Sequence, residues 1–177
     1  MAKVKVATAW LDSCSGCHMS FLDLDEAIVD LTGVLDFNCS PITDIKEFSR
    51  VDVGIVEGSV GNEHDEEVVK NLREKCQVLV ALGDCACFGG INGMRNLFET
   101  GDVLKRVYST ESTIDEGIIP NSEDLPKLLP ERPLNQVVKV DCYVPGCPPS
   151  AGNIHYVLKE LLQGRIPVLP GEMMRFD

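Results

Sequence analysis

Short runs rich in apolar and β-branched residues alternate with amphipathic segments along the chain. The first run, at residues 4–9, shows little alternation of apolar and polar positions, which is typical of a strand buried in a parallel sheet. We therefore interpret the short runs as strands. The five predicted strands cover residues 4–9, 34–37, 52–57, 76–82 and 137–141.

Amphipathic helices are predicted behind Ser20, Asn62 and Ser150, which are residue types that cap helices. Apolar residues follow each of them at spacings of three or four positions. In the first helix this stripe consists of Phe21, Leu24, Ile28 and Leu31. The inward residues expected in the other two are Val68, Leu72, Ile154, Val157, Leu158 and Leu161. Gly33 and Gly164 are expected to end the first and last helices.

Strands and helices alternate throughout, so the sequence predicts an α/β fold with a doubly wound parallel sheet of the flavodoxin type. Residues 1–177 are expected to form a single domain, since this length suits one sizeable core. Two stretches interrupt the alternation. Residues 83–93 are rich in glycine and predict a turn, and residues 109–136 contain four prolines and predict a long surface excursion.

The net charge of −12 argues against nucleic-acid binding, which needs a basic face, and against docking on anionic membranes. No apolar run approaches the roughly 20 residues of a membrane span. The N-terminus is interpreted as a strand and not as a signal peptide, so a cytoplasmic location is expected. Eight cysteines in such a chain indicate metal binding or redox chemistry and not a disulfide framework.

Four of the cysteines lie in the loops just after predicted strands: Cys14, Cys17, Cys85 and Cys147. The carboxyl ends of parallel strands meet at one edge of a sheet, so these four thiols are expected to converge. Four thiolates are what a [4Fe-4S] cluster requires. Nearby glycines permit unusual backbone angles, and the prolines around Cys147 stiffen its loop. The sequence therefore predicts one [4Fe-4S] cluster on these residues.

Other uses of the cysteines remain open at this point. A structural zinc site usually takes closely spaced pairs, and only one Cys-x-x-Cys pair is present. Dithiol redox catalysis leaves Cys85 and Cys147 unexplained. Cys39, Cys76 and Cys142 are interpreted as buried apolar residues. Cys87 is the alternative to Cys85 as a ligand.

Three motifs resemble the small subunit of [NiFe] hydrogenases, and the resemblance runs over nearly the whole chain. They are Cys-Ser-Gly-Cys-His at residues 14–18, Gly-Asp-Cys-Ala-Cys-Phe-Gly-Gly at 83–90 and Pro-Gly-Cys-Pro-Pro at 145–149. The resemblance implies that Cys14, Cys17, Cys85 and Cys147 bind the proximal [4Fe-4S] cluster. It also implies a separate large subunit that holds the nickel–iron site. The runs at residues 18–23 and 93–96 resemble the soluble NAD-reducing group, in which electrons continue to iron–sulfur and diaphorase subunits with flavin and NAD.

The resemblance also draws attention to Glu57 and His18. Glu57 is expected to line the cluster or the subunit interface, or else to be a strand-end carboxylate that backbone N–H groups satisfy. His18 either tunes the cluster by hydrogen bonding or merely caps a helix. The loops that carry the four predicted ligands are expected to form an interface with a partner subunit. Five apolar side chains lie on or beside these loops: Trp10, Met19, Phe88, Ile91 and Met94.

Three rival functions remain, one of which is a non-catalytic scaffold that binds zinc. The complex I subunit that carries the terminal cluster is homologous but has adjacent cysteines where this chain has Cys14-Ser15-Gly16-Cys17. A flavodoxin-like FMN module would need a phosphate-binding loop after the first strand, where this chain offers Ser13 and Ser15.

Overall fold

A computed structural model describes residues 3–110 and 117–174. Its main sheet has five parallel strands in the order β2-β1-β3-β5-β7. These strands are β1 (Val4–Trp10), β2 (Leu35–Cys39), β3 (Val51–Glu57), β5 (Cys76–Leu82) and β7 (Cys142–Val144). A second sheet pairs β4 (Val60–Asn62) with β6 (Leu128–Arg132) in antiparallel orientation.

Helices cover both faces of the main sheet. They are α1 (Gly16–Leu22), α2 (Glu26–Val34), α3 (Glu63–Lys75), α4 (Gly83–Phe88), α5 (Thr100–Lys105) and α6 (Ala151–Leu162). Val69 and Leu72 of α3 pack in one core, whereas Leu31 of α2 and Val157 of α6 pack in the other. The predicted doubly wound α/β fold is therefore confirmed. No helix in the described ranges has the length and apolar character needed to cross a membrane.

Two of the predicted caps are confirmed. The Asn62 side chain accepts a hydrogen bond from the Asp65 backbone N–H at 3.0 Å, and Ser150 accepts one from Asn153 at 3.2 Å. Each such cap contributes about 1 kcal/mol, because it satisfies a free N–H group in the first helical turn.

The prediction for the first helix is wrong in two respects. The helix begins at Gly16, so Cys17 lies inside α1, and the chain then breaks before α2 begins. The break falls at Asp25, whose φ of 49° is not helical. Ser20 does not cap a helix; its buried hydroxyl donates to the Pro149 carbonyl at 2.5 Å. A tertiary contact has thus replaced the local one that the sequence indicates.

Two further predictions fail near the site. Residues 83–88 form α4 where a glycine-rich turn was expected. The strand expected at residues 137–141 lies later, as β7. Backbone N–H groups of Val137 and Val138 instead close a turn on the Leu134 carbonyl, at 2.9 Å each. Their side chains pack against the core, which accounts for the strand-like pattern.

The predicted excursion at residues 109–136 contains structure that its sequence did not indicate. Residues 111–116 of it lie outside the described ranges. Its later part forms β6, which brings Glu131 into a buried position beside Ser59, with 2.8 Å between the Ser59 hydroxyl and Glu131 Oε2. The segment is therefore anchored to the body of the protein by a polar contact.

Candidate iron–sulfur site

The four predicted ligands lie at the carboxyl edge of the main sheet. Cys14 follows β1, Cys17 is in the first turn of α1, Cys85 is in α4 directly after β5, and Cys147 follows β7. Cys14 and Cys147 are exposed, and the other two are half-buried. Three segments that are far apart in sequence thus deliver four thiols to one side of the molecule, as the alternation of strands and helices predicts.

Electrostatic interactions connect these thiols. Burial raises the pKa of the Cys17 thiol, and the negative charge of Glu57 raises it further. When they are ionised, the other three thiols also raise the pKa of Cys17; they are Cys14, Cys85 and Cys147. Four thiolates at such a site repel one another, so cations must lie between them if all four are to be ionised.

Glycines leave room around the sulfur atoms. Gly83 has a φ of 85°, and a Cβ there would overlap Cys17 Sγ. Gly90 has a φ of 51°, and a Cβ there would lie 2.7 Å from Cys85 Sγ. Both positions therefore exclude larger residues for two reasons, backbone conformation and the space that the thiols occupy.

Asp84 ties two of the ligand loops together. Its backbone N–H donates to the Gly146 carbonyl at 2.9 Å, and its carboxylate accepts from the Gly146 N–H at 2.7 Å. Gly146 precedes Cys147, so this pair of bonds fixes the position of Cys147 relative to Cys85. Sequence reasoning missed this role, since nothing local in the sequence pairs residues 62 positions apart.

The arrangement fits an iron–sulfur cluster better than a single metal ion. In residues 3–110 and 117–174, no three Cys, His, Asp or Glu side chains lie close enough together to bind one ion. The thiols affect the pKa of one another, so they lie within electrostatic range. A cluster is larger than one ion, and four thiols are its usual donor set.

The remaining cysteines face the core. Cys39, Cys76 and Cys142 are buried at the ends of strands. Cys87, the alternative ligand, is 2% exposed, and its Sγ lies 3.5 Å from the Ala81 carbonyl oxygen. Burial raises the pKa of Cys87 to about 12, so its thiol keeps its proton in this position.

The buried Glu57 forms a hydrogen-bonded pair with the partly buried His18, the residue after Cys17. Glu57 Oε2 accepts a hydrogen bond from the His18 backbone N–H at 2.7 Å and lies 2.5 Å from His18 Nδ1. Burial alone raises the pKa of Glu57, but the bonds from His18 outweigh it and hold the pKa below its usual value. The His18 ring also contacts the Trp10 ring edge to face, with centroids 5.4 Å apart.

A second polar cluster, which sequence reasoning missed, lies behind the Cys14 loop. Glu131 is buried beside Asp12, and Arg95 bonds to Glu131 Oε1 at 2.9 Å. Burial and the neighbouring Asp12 carboxyl raise the pKa of Glu131 to about 7 in spite of Arg95. Asn92 adds a hydrogen bond to the Asp12 carbonyl at 2.5 Å, which joins the loop after α4 to the Cys14 loop.

The apolar side chains that were expected near the site are exposed. Phe88 and Ile91 are 68% and 70% exposed, and Met19 and Met94 are each 57% exposed. Trp10 is partly covered by His18 and is 38% exposed. These residues lie on or beside the loops that carry the cysteines, and together they give that edge an apolar surface.

Comparison with known proteins shows relatives over almost the whole chain. The chain is 39% identical over 180 residues to the NAD-reducing hydrogenase HoxS subunit delta of Cupriavidus necator, a match that covers 99% of this chain and 86% of that protein. It is 40% identical over 173 residues to a subunit of the F420-non-reducing hydrogenase vhu of Methanocaldococcus jannaschii. That match covers 97% of this chain but only 60% of the relative, so the chain spans about three fifths of the length of that protein.

Solved structures agree with these relationships. A chain of an NAD⁺-reducing [NiFe]-hydrogenase in the H2-reduced state superimposes with a TM-score of 0.95 and 38% identity, and 99% of each chain is covered. A chain of the [NiFeSe]-hydrogenase from Dm. baculatum gives a TM-score of 0.61 at 16% identity, over 97% of this chain and 69% of that one. The second likeness shows the fold alone.

The family assignment rests on the sequence match as well as on the fold. Residues 14–161 match the family described as NADH ubiquinone oxidoreductase, 20 Kd subunit, and this range contains all four predicted ligands. The individual relatives of about 40% identity are named as hydrogenase subunits. The chain therefore belongs to the NADH ubiquinone oxidoreductase 20 Kd subunit family, and within it to the [NiFe]-hydrogenase small subunits.

Proposed function

We propose that this chain is the electron-transfer small subunit of a cytoplasmic [NiFe] hydrogenase. It passes electrons between the nickel–iron site of a partner large subunit and a diaphorase module with flavin and NAD. One proximal [4Fe-4S] cluster serves this transfer, with Cys14, Cys17, Cys85 and Cys147 as ligands. The observation that carries the proposal is the convergence of these four thiols on one sheet edge, in a chain 39% identical to an NAD-reducing hydrogenase subunit.

The residues of this chain hold and surround the cluster. When bound, a [4Fe-4S] cluster takes up and releases one electron at a time, and protein charge, burial and hydrogen bonds set its potential. Asp84 and Ser20 fix the loop of Cys147, through Gly146 and Pro149 respectively. Gly83 leaves space for Cys17 Sγ. No general acid, base or nucleophile is assigned to this chain.

The apolar edge is the proposed contact with the large subunit. Electron transfer requires the cluster to lie close to the nickel–iron site, so the cysteine loops must face the partner. Phe88, Ile91 and Met94 provide apolar area on this side. Permanent interfaces of this kind bury above roughly 2,000 Å² in total and are more apolar than transient ones.

The complex I subunit is the nearest rival, since the matching family carries the name of that enzyme. The separated pair Cys14 and Cys17 and the hydrogenase names of the relatives favour the hydrogenase. An FMN module is less well supported, because its cofactor would leave the four converging cysteines without a role.

Anaerobic co-expression with the large subunit tests the proposal. We expect a heterodimer that shows broad visible absorption, contains iron and sulfide and reduces an artificial dye with dihydrogen. Addition of the diaphorase subunits should extend this activity to NAD⁺. Yellow flavin bands without iron, or a colourless protein that contains zinc, would contradict the proposed function. Dye reduction that never extends to NAD⁺ would contradict only the proposed acceptor.

A further inference from the structure

Glu57 is a fully buried carboxylate at the end of β3, on the same edge as the cysteines. Its charge is the strongest of the charges that act on Cys17. Such a group is costly to bury unless hydrogen bonds compensate it, so its presence in the core beside the site calls for a reason.

His18 supplies the compensation. Its backbone N–H donates to Glu57 Oε2 at 2.7 Å, and its ring Nδ1 lies 2.5 Å from the same oxygen. A carboxylate accepts both bonds when Nδ1 carries the hydrogen. These contacts hold the pKa of Glu57 below its usual value, so Glu57 is present as an anion. The Ser13 side chain also lowers the pKa of Glu57, whereas Glu57 Oε1 and His18 Nε2 have no hydrogen-bond partner in the described ranges.

We propose that Glu57 is a positioning residue whose buried charge lowers the reduction potential of the cluster and whose carboxylate fixes His18 beside Cys17. The inference rests on the proposed function, since it requires a cluster on the four cysteines. Reduction adds an electron to the cluster. A buried anion nearby opposes that electron, and it does so more strongly in the protein interior than in water.

The carboxylate also sets the orientation of the His18 ring. Because Oε2 accepts from Nδ1, that nitrogen carries the hydrogen, and the ring is held between Glu57 and the edge of Trp10. His18 follows Cys17 directly in α1. Loss of the Glu57 bonds would therefore free both the ring and the backbone next to a ligand.

Redox titration of the cluster tests the inference. The anaerobically purified heterodimer would be titrated at pH 8, and the reduced cluster followed by electron paramagnetic resonance. Glu57→Gln removes the charge but keeps an oxygen that accepts from His18, and we expect its midpoint potential to rise above that of the wild type. Glu57→Asp keeps the charge, and we expect its potential to stay closer to the wild-type value.

Glu131→Gln is the matched control. Glu131 is also a buried carboxyl, and its pKa of about 7 means that it is mostly ionised at pH 8. Its charged neighbours are Asp12 and Arg95, and in the described ranges its side chain bonds to Ser59 and Arg95 and not to His18. Its removal should change the potential less than Glu57→Gln does.

Each outcome decides the question. An unchanged potential in iron-loaded Glu57→Gln would overturn the role of Glu57, as would an equal rise in Glu131→Gln. If Glu57→Gln does not retain iron, Glu57→Asp decides the question. A loaded cluster near the wild-type potential in Glu57→Asp supports the role of the charge. Loss of iron in Glu57→Asp as well would show that the shape of the side chain matters, and it would contradict the role of the charge. A wild-type heterodimer without iron or sulfide would instead contradict the proposed function.

Discussion

Two buried carboxyl groups near the site have opposite protonation behaviour. The Glu57 carboxylate accepts hydrogen bonds from the backbone and the ring of His18, and these bonds hold the pKa of Glu57 below its usual value despite burial. Glu131 lies beside a second carboxyl, Asp12, and its pKa rises to about 7 even though Arg95 bonds to it. Local hydrogen-bond donors, and not burial alone, therefore decide which residue carries a charge.

The raised pKa of Glu131 predicts that stability falls as pH rises. The folded chain keeps the proton up to about pH 7, whereas the unfolded chain releases it near the ordinary glutamate value of 4.5. The contribution of Glu131 to the free energy of unfolding is therefore complete below about pH 4.5 and is lost as the pH rises through 7. A pKa change of this size corresponds to a loss of up to roughly 3 kcal/mol, or a fall of about 6–12 °C in Tm. Thermal unfolding at several pH values measures it.

Glu131→Gln should remove this part of the pH dependence, because its amide does not titrate. Glu67→Gln, at an exposed position of α3, is the control and should keep the wild-type slope. An unaltered slope in Glu131→Gln would show that another group causes the effect.

At the scale of elements, sequence reasoning succeeded where the signal is local. The caps Asn62 and Ser150 and the strand Cys76–Leu82 follow from residue type and apolar pattern. It failed where partners are distant in sequence. Ser20 bonds to Pro149 across 129 positions, and β6 pairs with β4 without an apolar alternation of its own. The same reason explains why the position of the cysteines after predicted strands indicated the candidate site but did not indicate Asp84 or Glu131.

The start of α4 provides a test of how tightly the site is built. Gly83→Ala places a Cβ at a φ of 85° and against Cys17 Sγ, so we expect loss of most of the iron and a destabilisation of at least about 1 kcal/mol. Gly93→Ala is the control, since no described atom lies within 4 Å of its Cβ position. Iron content and Tm measure both effects. Full iron in Gly83→Ala would mean that the Cys17 loop adapts easily.

On the scale of the whole molecule, the cysteine edge is both the proposed iron–sulfur site and an apolar surface. Phe88, Ile91 and Met94 remain exposed although the interior has two well-packed cores. In an otherwise acidic chain with a net charge of −12, such a surface is typical of a permanent subunit contact.

Charge introduced on this surface should prevent assembly. We expect Ile91→Glu to abolish the heterodimer in size-exclusion chromatography, since it would bury an unpaired carboxylate in the interface. Val168→Glu is the control, because Val168 is 87% exposed and lies away from the cysteine edge. It follows Pro167, whose carbonyl contacts Cys142 at the amino end of β7, whereas Cys147 follows the carboxyl end of that strand. An intact heterodimer with Ile91→Glu would place the interface elsewhere.

Ligation by Cys85 is the most direct test of the whole account, because Cys87 provides a matched control two positions away. Iron and acid-labile sulfide would be measured per chain in anaerobically purified Cys85→Ser and Cys87→Ser. We expect about four of each in the wild type and in Cys87→Ser, and a stripped or converted cluster in Cys85→Ser. Full iron and sulfide in Cys85→Ser, or about eight irons in the wild type, would contradict a single cluster on these four cysteines.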